Sequence, residues 1–179
     1  LALLRDAGLL RMLVPSRVGG DEADLATMVS AVTRIGVVDS AASWVLMVLV
    51  AHDWMMGSFP EAAQDTVYSS GPDTTIPGSL APTGLARPTH DGWIVSGRWP
   101  FASGADHGEW YLLGTVEPIQ GSRPRLLHIV VPRRDVVVQD TWHPIGLRGT
   151  GSADVVLESA FVPAEHTIDS GELLGGRSE

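Results

Sequence analysis

The sequence has no cysteine, which excludes disulfide scaffolds and thiolate chemistry. It also lacks any run of basic residues. Twelve Lys and Arg stand against 21 Asp and Glu, giving a formal net charge of −9. Nucleic-acid proteins rely on clustered Lys and Arg to neutralise phosphates, so an acidic chain argues against that partner. The same charge argues against an anionic membrane surface. No long apolar run is present either: the longest, Trp44 to Ala51, falls far short of the roughly 20 residues a span needs. Neither a signal peptide nor a transmembrane segment is visible. The expectation is a soluble, cytoplasmic protein with no nucleic-acid and no membrane partner.

Several chemical signatures are missing too. There is no Walker A sequence and no G-x-S-x-G elbow. Gly149 to Ser152 has a dinucleotide-loop flavour, but a strand pattern follows where a Rossmann helix would begin. The six histidines, His52, His90, His107, His128, His143 and His166, are scattered, and no two have helical ligand spacing beside a carboxylate. No metal is therefore expected. No paired-carboxylate motif is recognisable, and no catalytic residue is identifiable.

What the chain does have is enough apolar material for a core: 44% of its 179 residues are hydrophobic. It begins at Leu1 and ends on the tail Gly175 to Glu179, which suggests a piece of a longer protein.

The first half reads as helices. Leu1 to Val14 is apolar and closes at Pro15, which cannot donate to a helix. Pro15 to Gly20 is a turn by composition. Leu25, Met28, Val29, Val32 and Ile35 form one helical face, with Asp24 as N-cap and Gly36 as stop. Ser40 can cap a helix running to about Met56 that is apolar nearly all round, so it should lie inside. Ser58 and Glu61 have capping-box spacing for a short helix to about Tyr68. His52 and Asp53 read either as a site pair at a helix terminus or as a polar cap favoured by the dipole.

From Gly92 the period changes. Residues 93–99, 109–116, 125–131, 136–140 and 153–159 are short runs rich in Val, Leu, Ile, Trp and Tyr, separated by Gly, Pro and Asp turns. No helical pattern intervenes, so a parallel βαβ sheet is not expected. The fold class is α+β: an N-terminal helical domain, residues 1–73, then an antiparallel β-barrel or sandwich domain, residues 74–179.

One stretch concentrates the chemistry, Gly97 to Trp110. Trp99 and Phe101 alternate, so on a strand they share a face, and Ser103 joins them if the strand continues. An aromatic wall beside a hydroxyl suits a flat, partly polar ring such as a flavin. Gly104 would let the backbone approach closely. The same residues also read as barrel core ending in a turn serine. Trp142 and His143 border either a pocket or the barrel rim. Arg148 reads as a turn residue or a phosphate contact, and Asp106–His107 as a site pair or a solvated turn.

Taken in order, the segments resemble the acyl-CoA dehydrogenase superfamily of flavoproteins. Residues 8–46 follow its N-terminal pattern of a Val-Pro, a Gly-Gly turn, a helix and an Ala-Trp-Val. Residues 95–113 sit where the family has its Trp-Ile-Thr strand, and residues 145–163 match its Leu-Gly-x-Arg segment and closing Val-Pro. The resemblance implies that Phe101, Ala102 and Ser103 face a flavin, FAD or FMN, with Phe101 as wall and Ser103 as the hydroxyl near N5. It further implies that Ser79, Leu80 and Ala81 line the polar edge of the ring, and that a C-terminal helical bundle is absent from this chain.

The family's acidic Thr-Glu-Pro-Gly-Ala-Gly-Ser stretch is replaced here by Gly78 to Ala86, GSLAPTGLA. Pro82 survives, but Ala81 stands where the acid would be, which weakens the case for acyl-CoA. The pattern is more similar to the two-component monooxygenase branch. That likeness implies reduced flavin from a separate reductase, O2, a small aromatic or polycyclic substrate, and a homo-oligomer. The piece alone is expected to be inactive. The alternatives are an FAD-dependent acyl-CoA dehydrogenase and a non-catalytic relative without flavin.

Overall fold

The computed structural model describes residues 1–175. Its helices come first: α1 Ala2–Asp6, α2 Leu25–Gly36, α3 Ser40–Met56 and α4 Glu61–Val67. Seven strands follow: β1 Gly78–Pro88, β2 Gly92–Ala102, β3 Trp110–Glu117, β4 Arg125–Pro132, β5 Val137–Gln139, β6 Ala153–Pro163 and β7 Thr167–Asp169. A short helix, α5 Ser170–Gly175, closes the described chain. Among the described residues no helix is long and apolar enough to cross a membrane.

The helical half departs from the sequence reading at its ends. The apolar stretch before Pro15 is not one helix, because Gly8 adopts a left-handed φ of 72° and ends α1 after one turn. α2 begins where Asp24 accepts from the Thr27 amide at 2.7 Å, as its cap pattern requires. α3 is capped by Asp39, not Ser40: the Asp39 carboxylate accepts from the amides of Ala41 and Ala42 at 2.9 and 3.0 Å. α4 has Pro60 at its N-cap with no side-chain capping bond, so the Ser58–Glu61 box does not form. α3 is the central helix, with Val45, Leu46, Leu49, Val50, Met55 and Met56 all buried.

The strands form one sheet in the order β5-β6-β2-β1-β3-β4-β7. Every pairing is antiparallel except β1 with β3, which run parallel. The expected all-antiparallel sheet is corrected there, because the chain enters β1 from the helices, turns back through β2, and crosses over to return as β3 on the far side of β1. The sheet is strongly curved: β4 comes close to β6 although three strands separate them in the order. Its concave side holds Trp99, Tyr111, Leu113, Ile129, Val155 and Leu157 in one cluster. Its other side meets the helices. Leu112, Val130 and Ile168 pack with Met56, Phe59 and Val67 in a second cluster.

β1 was invisible in the sequence. Its run GSLAPTGLARP carries two glycines and two prolines, which favour a loop reading. The structure shows why they are tolerated. β1 pairs with β3 at Gly78 and Ser79, then again at Gly84 and Leu85, with four residues on β1 opposite a single residue, Gly114, on β3. Leu80 to Thr83 thus leave the ladder, and Pro82 needs no partner for an amide it lacks.

Candidate functional site

The end of β2 is built around two bulges and a buried tryptophan. Trp99 is fully buried, and its indole N–H donates to the Gly114 carbonyl at 2.5 Å. Room for that ring comes from glycines. A Cβ on Gly84 would lie 2.1 Å from Trp99 Cζ2, and one on Gly97 would lie 2.7 Å from the Gly84 Cα. A Cβ on Gly114 would meet the Leu80 carbonyl oxygen at 2.3 Å. Trp99 therefore supports, from inside, the place where Leu80 to Thr83 bulge outward. Thr83 Oγ1 donates to the Arg98 carbonyl at 2.9 Å and ties the bulge back to β2.

The strict alternation expected for Trp99, Phe101 and Ser103 does not hold. Trp99 pairs with Val155 and Ala102 with Ala153, so three steps on β2 face two on β6. Phe101 takes up the extra residue with a φ of 62°, in the left-handed region that non-glycine residues rarely enter. The result separates the two aromatics: Trp99 stays in the core, whereas Phe101 is turned outward and is 67% exposed. The Trp142 ring stands edge-on to Phe101 at 6.1 Å and 81°. Its own indole donates to the Leu147 carbonyl at 3.1 Å. The loop carrying Trp142 is anchored where Asp154 accepts from Thr141 Oγ1 at 2.9 Å and from Arg98 Nε at 2.6 Å.

Ala102 is buried among the core residues, so only its backbone can reach a ligand. Ser79 is half-buried and paired in the ladder, while Leu80 and Ala81 are exposed on the bulge. The antiparallel register that starts at Leu85–Ser96 runs toward the Phe101 end of β2 through the Thr83–Arg98 bond. Leu80, Ala81 and Phe101 thus belong to the same corner of the sheet.

Ser103 is 5% exposed and bonded on two sides. The Trp44 indole, from α3, donates to its hydroxyl at 2.8 Å. The Ser152 hydroxyl lies 2.8 Å away on the other side, and Thr150 Oγ1 lies 2.7 Å beyond that. Thr150 Oγ1 donates to the Leu147 carbonyl at 2.9 Å. Trp44, Thr150 and Ser152 were missed as site residues. Trp44 and Ser152 stand in segments already singled out, the Ala-Trp-Val and the Gly-Thr-Gly-Ser, but nothing in their spacing shows that they meet Ser103.

Two cavities flank this corner. One of about 630 Å³ lies between the helices and the loops, lined by Val45, Gly104, Asp106, His107, Arg148 and Thr150. Asp106 and His107 are exposed in a short 3-10 turn rather than paired at a site. A second cavity, about 260 Å³ and almost wholly apolar, has Leu80 and Pro82 of the bulge on its wall, with Met55, Gly114, Leu126 and His128. Burial lowers the His128 pKa, and its Nδ1 is 3.1 Å from Ser170 Oγ.

His52 and Asp53 are neither an exposed cap nor part of this corner. Both are buried. His52 Nδ1 donates to the Ile76 carbonyl at 2.7 Å, and Tyr68 donates to Asp53 Oδ1 at 2.8 Å. Burial pushes the His52 imidazole down to about 4 and the Asp53 carboxyl well above its usual range, so His52 is neutral at physiological pH. They join α3 to the segment entering β1. Among the described residues no group of three or more His, Cys, Asp or Glu could hold a metal ion.

No family model matches the chain. Curated proteins and solved structures do. The oxygenase component of an FADH2-dependent resorcinol hydroxylase from Rhizobium sp. is 35% identical over 183 residues, 99% of this chain and 45% of that protein. The crystal structure of 3-HSA hydroxylase from Rhodococcus sp. RHA1 superposes with a TM-score of 0.91 at 34% identity, over 94% of this chain and 45% of that one. XiaF from Streptomyces sp., solved with FADH2 and glycerol, superposes with a TM-score of 0.88 at 33% identity, over 95% of this chain and 43% of that one. The chain thus spans a little under half the length of the relatives it matches. The likeness read from the sequence to the monooxygenase branch of the acyl-CoA dehydrogenase superfamily is borne out: in sequence and in fold, the chain is similar to the oxygenase components of flavin-dependent monooxygenases, over a little under half of each.

Proposed function

We propose that this chain supplies the N-terminal helical domain, residues 1–73, and the middle β domain, from residue 74 on, of a flavin-dependent monooxygenase. In this reading the curved sheet is the barrel-like middle domain and its Phe101 corner faces the flavin. The observation that carries the reading is the outward turn of Phe101. A non-glycine residue held at positive φ with its ring in solvent is a cost to folding that a ligand's ring would offset. The residues present fit a flavin. Phe101 offers an aromatic face, Leu80 and Ala81 offer backbone freed from the ladder by the bulge, and Ser103 offers a hydroxyl at the ring's reactive edge.

Reduced FAD is the first candidate, because FADH2 is the form named for two of the relatives, with FMN second. A bound reduced flavin supplies the electrons with which O2 is activated for hydroxylation. The chain's own part is to hold the ring, place a hydroxyl beside it and keep water away with Phe101, Trp142 and Leu80. The substrate class is a phenol or a larger fused aromatic. A separate flavin reductase, a homo-oligomeric assembly and a cytoplasmic setting belong to the same proposal. The acyl-CoA dehydrogenase alternative is set aside, since Ala81 replaces the acid of that family's loop and two of the relatives named above are hydroxylases.

The test supplies the whole monooxygenase that contains this chain with reduced FAD from an NADH-dependent reductase under labelled oxygen, with a panel of mono- and polycyclic phenols. The proposal expects one labelled oxygen atom in a hydroxylated product. Hydrogen peroxide as the only oxygen product with every phenol, together with flavin bleaching by an acyl-CoA, would contradict it.

A further inference from the structure

Gly114 is held from two sides. Strand alternation puts it on the outer face of β3 with Leu112, which packs on the helices, while Leu113 points into the concave core. Gly114 has no partner on β1, since the register passes from Ser79–Leu113 to Gly84–Thr115. From the concave side the Trp99 indole reaches into that gap and donates to the Gly114 carbonyl. From the outer side the bulge of β1 lies on the Gly114 Cα. A Cβ there would stand 2.3 Å from the Leu80 carbonyl oxygen and 2.9 Å from that of Ala81.

The same packing orients the bulge. The Leu80 carbonyl oxygen lies nearer that Cβ position than the carbonyl carbon does, 2.3 against 2.8 Å, so the carbonyl points at Gly114. In a planar trans peptide the N–H lies opposite the oxygen, so the Ala81 amide points away from β3 and out of the sheet. Ala81 is exposed, and Pro82 beside it has no amide to offer. The bulge therefore presents the Ala81 amide as an outward donor. The direction of that donor is set by what lies behind it.

We propose that Trp99 and Gly114 are positioning residues that aim the Ala81 amide at an acceptor on the polar edge of the flavin. The inference rests on the flavin reading above. That edge of the ring carries carbonyl oxygens, which match an amide donor. The two residues act from opposite directions. The indole bond fixes where β3 lies at the gap, and the missing Cβ fixes how closely the bulge sits on it. Affinity for flavin is thus set in part by residues the ring never touches. One hydrogen bond misdirected corresponds to about a fivefold loss of affinity.

The experiment uses the whole protein that contains this chain, with reduced FAD under argon, as wild type, Trp99→Phe, Gly114→Ala and Val162→Ala. Trp99→Phe keeps an aromatic ring and removes the N–H. Gly114→Ala lifts the bulge. Val162→Ala truncates the same core at the far end of β2, opposite Trp93, and reports what lost stability does by itself. Ultrafiltration gives the dissociation constant. Mass spectrometry follows amide hydrogen exchange at Ala81 with and without flavin. Wild type and Val162→Ala are expected to bind alike and to show slower exchange at Ala81 once flavin is added. Trp99→Phe and Gly114→Ala are expected to bind about fivefold or more weakly and to lose that slowing. Unchanged affinity in every folded variant of these two overturns the positioning role, and so does an equal loss in Val162→Ala. A wild type that binds flavin without slower exchange at Ala81 overturns this inference alone, and that result needs no variant to fold. A wild type that binds no reduced FAD overturns the flavin reading and this inference with it.

Discussion

At Phe101 a φ of 62° and an exposed ring occur together, and each makes the other informative. A left-handed backbone costs a non-glycine residue roughly 1 kcal/mol or more, and glycine there is free of the steric cost, which offsets its larger loss of chain entropy. Phe101→Gly is accordingly expected to leave the melting temperature within a few degrees of wild type while weakening flavin binding. Calorimetry and a flavin titration on the same sample check both halves. A large fall in melting temperature would mean that Phe101 serves the fold. The glycines around Trp99 behave oppositely. Gly84→Ala would force a methyl to within 2.1 Å of the Trp99 ring. Overpacking of that kind costs about 1–3 kcal/mol. At about 2–4 °C per kcal/mol for a chain of this size, thermal denaturation should show it plainly. This corner also marks the limit of alternation as a guide. Period two correctly placed Trp99 on a strand, but a bulge is one extra residue whose effect depends on the partner strand, so the sequence offered no sign that Phe101 faces the other way.

Among the elements, α3 carries the most consequential titratable groups, His52 and Asp53. The His52 imidazole is held down to about 4 by burial, against an ordinary value of 6.5. Unfolded chain takes up the proton first, so the stability this group contributes is intact above pH 6.5 and is lost as pH falls toward 4. The loss amounts to about 3 kcal/mol at most. His128 and His166 are also lowered by burial and act in the same direction. His52→Gln is expected to flatten the acid limb of unfolding free energy between pH 6.5 and 4, measured by urea denaturation. An unaltered limb would show that His52 is not the group responsible. Asp53 works the other way: its carboxyl is raised by burial, so its ionisation destabilises the fold as pH rises. Asp53→Asn keeps an acceptor for Tyr68 and is expected to raise the melting temperature at pH 8 more than at pH 5.

Element legibility followed periodicity. α2 and α3 were readable because helical spacing of Met28, Val32 and Ile35, and of the apolar run from Trp44, survives any tertiary context. β2, β3, β4 and β6 were readable from dense β-branched and aromatic residues. β1 was not, because its glycines exist to admit Trp99 and the β3 backbone, a need that arises only once the strands are assembled.

The whole described chain behaves as one packed body. Met56, Phe59 and Val67 share a core with Leu112, Val130 and Ile168, and Trp44 and His52 bond across from α3 to Ser103 and Ile76. Helix and strand signals are therefore expected to melt together, in far-ultraviolet dichroism and in tryptophan fluorescence alike. Two separated transitions would contradict a shared core. The α+β class was legible because helix and strand patterns are local, and the aromatic cluster of Gly97 to Trp110 stood out for the same reason. The hydrogen-bonded cluster around Ser103 was not, because it draws on residues 44, 103, 150 and 152, which only the folded chain brings together.

The central claim is that the Phe101 corner holds a flavin. Its most direct test is an anaerobic titration of the protein with reduced FAD, followed by quenching of tryptophan fluorescence, in wild type and Phe101→Gly. The prediction is saturable binding of one flavin per chain in wild type, weakened roughly tenfold in the variant, the order expected when one aromatic contact is lost. Absence of saturable binding, or equal affinity in the two proteins, would contradict it.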